Sequence, residues 1–442
     1  MKKNIPLLLV SFLLVFLNFY GVSRASYGYF LHGAGAVNDS LGGAATAGNK
    51  QDLLGSLYRN PANATLFEGR IASVSVGAVF PDATINSSVS ALGMTGSSDS
   101  TVDVIPLSNL GVVFNDKTRP MAYYFAIIGE AGLHLDLPQS FSNPICVSQA
   151  GKSDNPYGGA FGGFGAIETQ MEVVRIPFGA SYQIDNKWAL GFSVGPSVAR
   201  LKFSPAAFAA PDDANGDGIY TYPTGVDHEL AFGVGFQAGV RCQATDKLGI
   251  GFTFTSPTWF NDFKWDVTDE NGNSRTVSHH VDRPLTLHLG LSYQATPGTI
   301  FVMDCSWINY SGTKGFDEIG FDSNGSLKGL GWDDQWTVAL GVQHDILVNW
   351  TIRAGYNYGT NPIDDDITFH NVGNPLHNEH HLSCGLSWKV TEQMSIDLGY
   401  THAFETSQSG SWYDATNQAV PGTEIESSLV YDQVAVGLTF LF

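Results

Sequence analysis

Residues 285–294 alternate without interruption. Leu285, Leu287, Leu289, Leu291 and Tyr293 fall on one parity, and Thr286, His288, Gly290, Ser292 and Gln294 on the other. The same two-residue period recurs in Trp350/Ile352/Ala354/Tyr356/Tyr358, Met394/Ile396/Leu398/Tyr400, Trp188/Leu190/Phe192/Val194 and Phe232/Val234/Phe236/Ala238. A period of two is that of a strand with two unlike faces. The second face decides the environment. In a water-soluble sandwich or propeller it would carry many charges, but here it is mainly Gly, Ser, Thr and Gln, with a few ionised groups such as Arg353, Asp397 and Lys389. With only 14% charged residues, 12% aromatics and 50 glycines, the apolar face is expected to meet hydrocarbon and the small polar face a lumen. Aromatics at strand ends (Trp188, Trp350, Trp388, Tyr293, Tyr400) suit the two membrane interfaces.

Connections give an independent reading. Short polar links at 115–117, 185–187, 245–247, 296–298, 345–349 and 391–393 alternate with long Gly/Asp/Asn/Pro-rich segments at 84–106, 132–165, 206–227, 267–277, 313–332, 362–377 and 407–428. Strict alternation of tight turns and long loops predicts an all-β fold, a closed transmembrane antiparallel barrel of about 14 strands. The last strand ends in Phe442 on its apolar parity, a signal suited to barrel-assembly machinery. At the other end, Met-Lys-Lys, an apolar run from Ile5 to Tyr20 and Ser23-Arg24-Ala25 read as a secretory signal over 1–25. The net charge of −20 argues against nucleic-acid partners. Cys146, Cys242, Cys305 and Cys384 lie in separate segments with no paired spacing, which predicts isolated thiols.

Residues 26–68 do not alternate. Leu53, Leu54, Leu57 and Tyr58 have helical spacing, Pro61 cannot continue that helix, and Asn60 before it is driven to an extended conformation. A compact Gly/Ala-rich segment ahead of the first strand is expected to sit as a hatch inside the lumen, with the barrel over 69–442. The chain here resembles the FadL/TodX-type outer-membrane transporters of long-chain fatty acids and aromatic hydrocarbons. SYGYFLHGAGA, SLGGAATAG and above all RNPANAT carry the resemblance, which continues through DNKWALGFSVGPSVARLKF, NWTIRAGYNYGTNPI and the last strand. It implies that Asn60, Pro61 and Ala62 lie against an inward kink of the third strand near Gly129 to Gly132, where a hole in the wall releases a hydrophobic small molecule sideways into outer-membrane lipid. Passive uptake is the function so implied. The plainer reading of the tripeptide is a helix stop.

Other residues carry weaker signals. Phe161, Phe164 and Phe208 fall in long loops, where they either form the capture groove that the resemblance implies or pack the loops together. Asp213, Asn215, Asp217 and Gly218 have half of a calcium-loop pattern, with Thr224 where a bidentate Glu belongs. His370, His377, His380 and His381 match no zinc spacing. Asp227-His228 supports the alternative of a barrel hydrolase acting on lipid or peptide at the cell surface, but no Gly-framed Ser accompanies it. A water-filled porin is a third possibility, opposed by the long hatch. No ATP motif or cofactor fingerprint occurs, so neither an enzyme nor a cofactor is expected.

Overall fold

A computed structural model describes residues 28–116, 118–205, 210–223, 227–321, 327–414 and 418–442. The signal segment 1–25 and Phe208 lie outside them. Fourteen antiparallel strands close into one barrel: β1 (Gly69–Val89), β2 (Met94–Asp99 and Ile105–Asn115), β3 (Met121–Leu137), β4 (Ile167–Arg175 and Phe178–Gln183), β5 (Trp188–Ser204), β6 (Glu229–Gln243), β7 (Leu248–Thr255), β8 (Thr286–Thr296), β9 (Thr299–Ile308), β10 (Gln335–Leu347), β11 (Trp350–Gly359), β12 (His380–Thr391), β13 (Met394–Gly410) and β14 (Thr423–Leu441). Closure is made by β1 and β14, whose register runs unbroken from Ile71 opposite Leu441 to Val89 opposite Thr423.

The faces are inverted relative to a soluble protein. Phe192, Phe232, Leu289 and Leu398 are exposed on the outside, while Ser193, Gln237, Thr253, Asp304 and Arg353 are buried toward the lumen. Toward the long-loop end this sense reverses. On β1 the outward side chains become Asp82, Thr84, Asn86 and Ser88, and the inward ones Ala83, Ile85 and Val89. The same exchange puts Leu133, Leu135 and Leu137 of β3, and Leu201 and Phe203 of β5, in the interior. Here the outer wall meets water and the lumen becomes an apolar core.

The reversal corrects the strand lengths expected from sequence. Residues 84–89, 94–99, 132–137, 407–410 and 423–428, expected as loop, continue the ladders. Their polar outward residues imitate a solvated loop, but backbone pairing holds them in strands. One long connection also folds back as a hairpin, Phe263–Thr268 against Ser274–His279. All four cysteines are free.

The segment from Gly28 to Phe67 lies in the lumen, mostly against its polar wall with Tyr29 and Phe30 reaching the apolar core, and is almost wholly buried. It contains two short helices, α1 (Ala36–Asp39) and α2 (Leu53–Arg59), then a 3-10 turn (Pro61–Leu66). Asp52 caps α2 by accepting the Gly55 amide at 2.9 Å. Polar wall residues tie this hatch from several sides. Ser75 accepts the Ala36 amide, Asp304 accepts the Ala45 amide and the Thr46 hydroxyl, Asn357 donates to Gly42, Gln343 accepts from Asn49, and Gln433 donates to Asp39.

Glycines on the inward face let backbone lie on backbone. An added Cβ at Gly191 would stand 2.2 Å from the Ala62 nitrogen, at Gly251 2.1 Å from the Thr46 oxygen, and at Gly355 2.2 Å from the Gly42 nitrogen. Overpacking of this kind costs about 1–3 kcal/mol. Gly191→Val is expected to leave barrel assembly intact and to raise amide hydrogen exchange across residues 44–64; unchanged protection there would refute the tight seat.

Candidate functional site

Among the described residues, the wall's pairing is interrupted between β2 and β3. Pairing between β2 and β3 runs from Asn115 opposite Ala122 to Asn109 opposite Ile128 and then stops. Beyond it, Ile105–Ser108 remain paired only to β1, while β3 bends inward. Its register with β4 slips between Gly129 and Ala131, leaving Glu130 as a bulge. β4 is itself broken at Ile176-Pro177, where the proline has no amide to give and its carbonyl takes the Ala126 amide at 3.0 Å.

The abandoned edge of β3 is taken up by the hatch. Phe30 bridges Ala131, the Leu31 amide donates to the Glu130 carbonyl at 3.0 Å, and the Gly132 amide donates to the Tyr29 carbonyl at 3.4 Å. The wall is rejoined where the Thr101 amide donates to the Asp136 carbonyl. The gap between β2 and β3 is thus bounded by Asn109, whose side chain accepts the Gly129 amide at 3.1 Å, and by Thr101. Inside it lie Tyr29, Phe30, Ala131 and Leu133, part of one buried cluster with Tyr310, Phe316 and Trp332. A cavity of about 30 Å³ among Tyr29, Leu133, Met171, Leu201, Phe316 and Trp332 holds about one water, far less than a hydrocarbon ligand.

Of the residues expected from sequence, Gly129 and Gly132 flank the bulge. Asn60, Pro61 and Ala62 sit beside it rather than on it. The Asn60 amide donates to Thr46 (2.9 Å) and Val240 (3.0 Å), its oxygen accepts the Ala62 amide, and Ser181 donates to the Pro61 carbonyl. The tripeptide therefore lies against β4, β5 and β6. The reason is the preceding helix: Tyr58 packs on Ala126 and Ile128 just below the bulge, which carries residues 60–62 past it.

Phe164 is buried against Tyr222 and Phe369, and Phe161 stacks on Trp412 at 6.0 Å. Asp213 and Asp217 bind amides of their own turn. The four histidines part company: His377 meets Ser427, His380 meets Tyr356, His381 stacks on His32, and His370 lies against Tyr413. No group of three His, Cys, Asp or Glu placed for a metal occurs among the described residues. His228 bonds Gln170 at 2.7 Å, and the Asp227 carbonyl takes the Trp265 indole.

Sequence reasoning passed over Tyr29–Leu31, Glu130, Arg175 and Arg283. Glu130 alone left a trace, a carboxylate following Ala126 and Ile128 on their parity in AIIGEAGLHL.

Two expectations follow from these contacts. Asn60→Ala removes the side-chain hydrogen bonds to the Thr46 and Val240 carbonyls, each worth about 0.5–1.5 kcal/mol, so planar-bilayer recordings should show hatch-opening current bursts that the wild type lacks. In the long connection before β8, His280 lies 2.7 Å from Asp262 and 3.1 Å from Asp282. The adjacent Asp282 carboxylate, and then the hydrogen bond to Asp262, hold its pKa above the ordinary 6.5 against the opposing effect of burial. This contribution is complete below about pH 6.5 and is lost as pH rises through the elevated value. Proteolysis of the 256–285 connection should accelerate on going from pH 6 to pH 8, and the change should vanish in His280→Gln.

Comparison with known proteins agrees with this architecture. The family model described as outer membrane protein transport protein (OMPP1/FadL/TodX) matches residues 33–440. The long-chain fatty acid transport protein of Escherichia coli O6:H1 is 23% identical, over 88% of this chain and 87% of that one. The solved structure of a Pseudomonas aeruginosa FadL homologue superposes with a TM-score of 0.71 at 15% identity, over 93% of this chain and 99% of that one. The toluene transporter TodX of Pseudomonas putida gives 0.66 at 16%, with the same coverages. A closed fourteen-strand wall, a luminal hatch and a family match over nearly its whole length place this chain in the OMPP1/FadL/TodX family of outer-membrane transport proteins.

Proposed function

We propose that this protein takes up hydrophobic small molecules passively and releases them through the gap between β2 and β3 into the outer-membrane bilayer. The observation that carries the reading is the departure of β3 from β2 at Asn109/Ile128, with an apolar cluster directly behind it. An apolar solute crossing a water-filled pore would forfeit about 0.8 kcal/mol per CH₂. A sideways exit keeps it out of water throughout. The aromatic loop cluster containing Phe161, Phe164, Phe369 and Trp412 supplies the capture surface, and Phe208, outside the described residues, stays a candidate for it from the sequence alone. The path then descends through the apolar half of the lumen to Tyr29 and Phe30. Those side chains must move aside, because the cavity beside them is smaller than any such ligand.

Asn60-Pro61-Ala62 fixes the floor of this path, and Gly129 and Gly132 allow the bend that opens it. Lipid receives the product, and assembly machinery would read the strand ending in Phe442. Relatives named for long-chain fatty acid and toluene transport support a substrate of this hydrophobic class. Among the described residues, Asp227 and His228 bond Trp265 and Gln170 and form no catalytic constellation with a nucleophile.

The test staples the gap. Ser108 and Gly129 flank its lower margin, and a Cβ on Gly129 would lie 3.5 Å from the Ser108 oxygen. In a background without the native cysteines, Ser108→Cys/Gly129→Cys should lose at least nine-tenths of uptake when oxidised, an effect of about 1.4 kcal/mol or more, and recover it on reduction. Undiminished uptake by the fully oxidised barrel would reject lateral release.

A further inference from the structure

One turn at the short-connection end of the barrel differs from its neighbours. Asn115-Asp116-Lys117, Asp185-Asn186-Lys187, Thr245-Asp246-Lys247, Thr296-Pro297-Gly298 and Thr391-Glu392-Gln393 carry no large apolar side chain except the proline ring. The link from β10 to β11, Asp345-Ile346-Leu347-Val348-Asn349, is polar only at its ends. Val348 is 97% exposed, more than any other large apolar side chain among the described residues, and Ile346 and Leu347 are exposed beside it.

A slip in the ladder aims this tip. Asp345 lies opposite Thr351 on the luminal side, and its carboxylate accepts the Thr351 hydroxyl at 2.7 Å. By strict alternation Leu347 would point inward too, but Ile346 is bulged out, so Leu347 comes opposite Trp350 instead. Trp350 shares the lipid-facing parity of Ile352 and Tyr356 and stacks on Trp388 of β12 at 5.6 Å and 6°. The same slip precedes two other turns, placing Thr296 opposite Thr299 and Thr391 opposite Met394. There the residue turned outward is a threonine whose hydroxyl bonds within its own turn: Thr296 donates to Thr299 Oγ1 at 2.9 Å, and Thr391 accepts the Gln393 amide at 3.1 Å. Leu347 instead carries the apolar wall one step past the tryptophan stack.

An exposed apolar patch of this kind marks a contact surface. Two covers lie within reach. Val348 stands at the rim of an open cavity of about 380 Å³ below the hatch, but that cavity presents Lys50, Arg353, Glu392 and Asp397 and suits water. The lipid-facing wall, by contrast, is continuous with the tip through Leu347, Trp350 and Trp388. Short turns lie on the periplasmic side of such barrels, so the adjoining lipid is the inner leaflet. Paired tryptophans with a cation beside them suit that interface; here the cation is Lys389, whose amide donates to the Asn349 carbonyl at 2.9 Å.

We propose that Ile346, Leu347 and Val348 dip into the inner leaflet of the outer membrane, against glycerophospholipid chains at the head-group boundary, and hold the β10–β11 side of the barrel at a fixed depth. No residue of the gap takes part, so this anchor stands or falls independently of the uptake reading.

The test uses the full-length protein without its native cysteines in vesicles of phosphatidylethanolamine and phosphatidylglycerol. A nitrobenzoxadiazole fluorophore is placed on Val348→Cys or, as a reference in a polar turn, on Asp246→Cys. At Val348→Cys, lipid brominated near the head-group end of its chains should remove about half the fluorescence, and iodide on both sides of the membrane should quench on the order of fivefold less than at Asp246→Cys. Adding Ile346→Ser and Leu347→Ser should raise iodide quenching to the reference level, because the neighbouring side chains, and not the dye, seat the turn. Equal iodide quenching at the two sites in the parent overturns the proposal. So does protection from both quenchers, the result of a tip folded into the cavity, and so does bromolipid quenching that survives the double substitution.

Discussion

Every backbone amide and carbonyl at membrane depth must find a partner within the protein, because hydrocarbon supplies none. Closure of β1 on β14 meets this demand around most of the wall. Between β2 and β3 it is met differently. There the ladder leaves the barrel and continues inward onto Tyr29–Leu31, so a hole exists in the wall without a row of orphaned groups along β3. The hatch is thus part of the barrel's hydrogen-bonded surface as well as a filling for its lumen.

That constraint also explains which parts were legible in the sequence. Alternation with uncharged polar residues opposite the apolar ones fixes a lumen and a lipid face, and tight turns alternating with long connections lead to fourteen strands. The upper thirds of β1, β13 and β14 escaped because their pattern keeps period two but changes sense. Thr84, Asn86 and Ser88 look like loop until it is known that they face outward while Ile85 and Val89 face inward. A strand leaving the membrane goes on pairing, and only its outer solvent changes.

The gap was not legible, for a different reason. AIIGEAGLHL reads as an ordinary strand, and in the structure it is one; what alters is its neighbour. Pairing across Asn109/Ile128 ends and pairing across Phe30/Ala131 begins, an exchange between segments about a hundred residues apart in sequence. The Asn-Pro-Ala stop is legible as local conformation, with the helix ended before Pro61 and Asn60 extended, while the 3-10 turn that Pro61 opens is not. Its seat on Ser181, Gly191 and Val240 depends on the whole barrel's curvature. Inward glycines such as Gly191 and Gly355 belong to the lumen face by pattern alone, and in the structure each marks where the hatch backbone touches the wall.

The hatch is held by two unlike kinds of contact, and the division bears on what can move. From Gly35 to Leu66 its ties to the wall include many hydrogen bonds with Ser75, Asp304, Gln343, Asn357 and Gln433 and backbone laid on glycine, beside smaller apolar contacts such as Leu57 with Val113 and Tyr58 with Ile128. Displacing that part would strand many buried polar groups at about 1–3 kcal/mol each. Tyr29 and Phe30 instead sit in the apolar cluster, where burial stabilises by about 1.5–3 kcal/mol per side chain. An arriving hydrophobic ligand buries the same kind of surface in the same place, so replacing these two side chains exchanges like for like. The ligand offers nothing equivalent to the polar ties below. Opening is therefore cheapest at the few residues that pair with Glu130–Gly132, while the remainder of the hatch keeps the lumen closed to water.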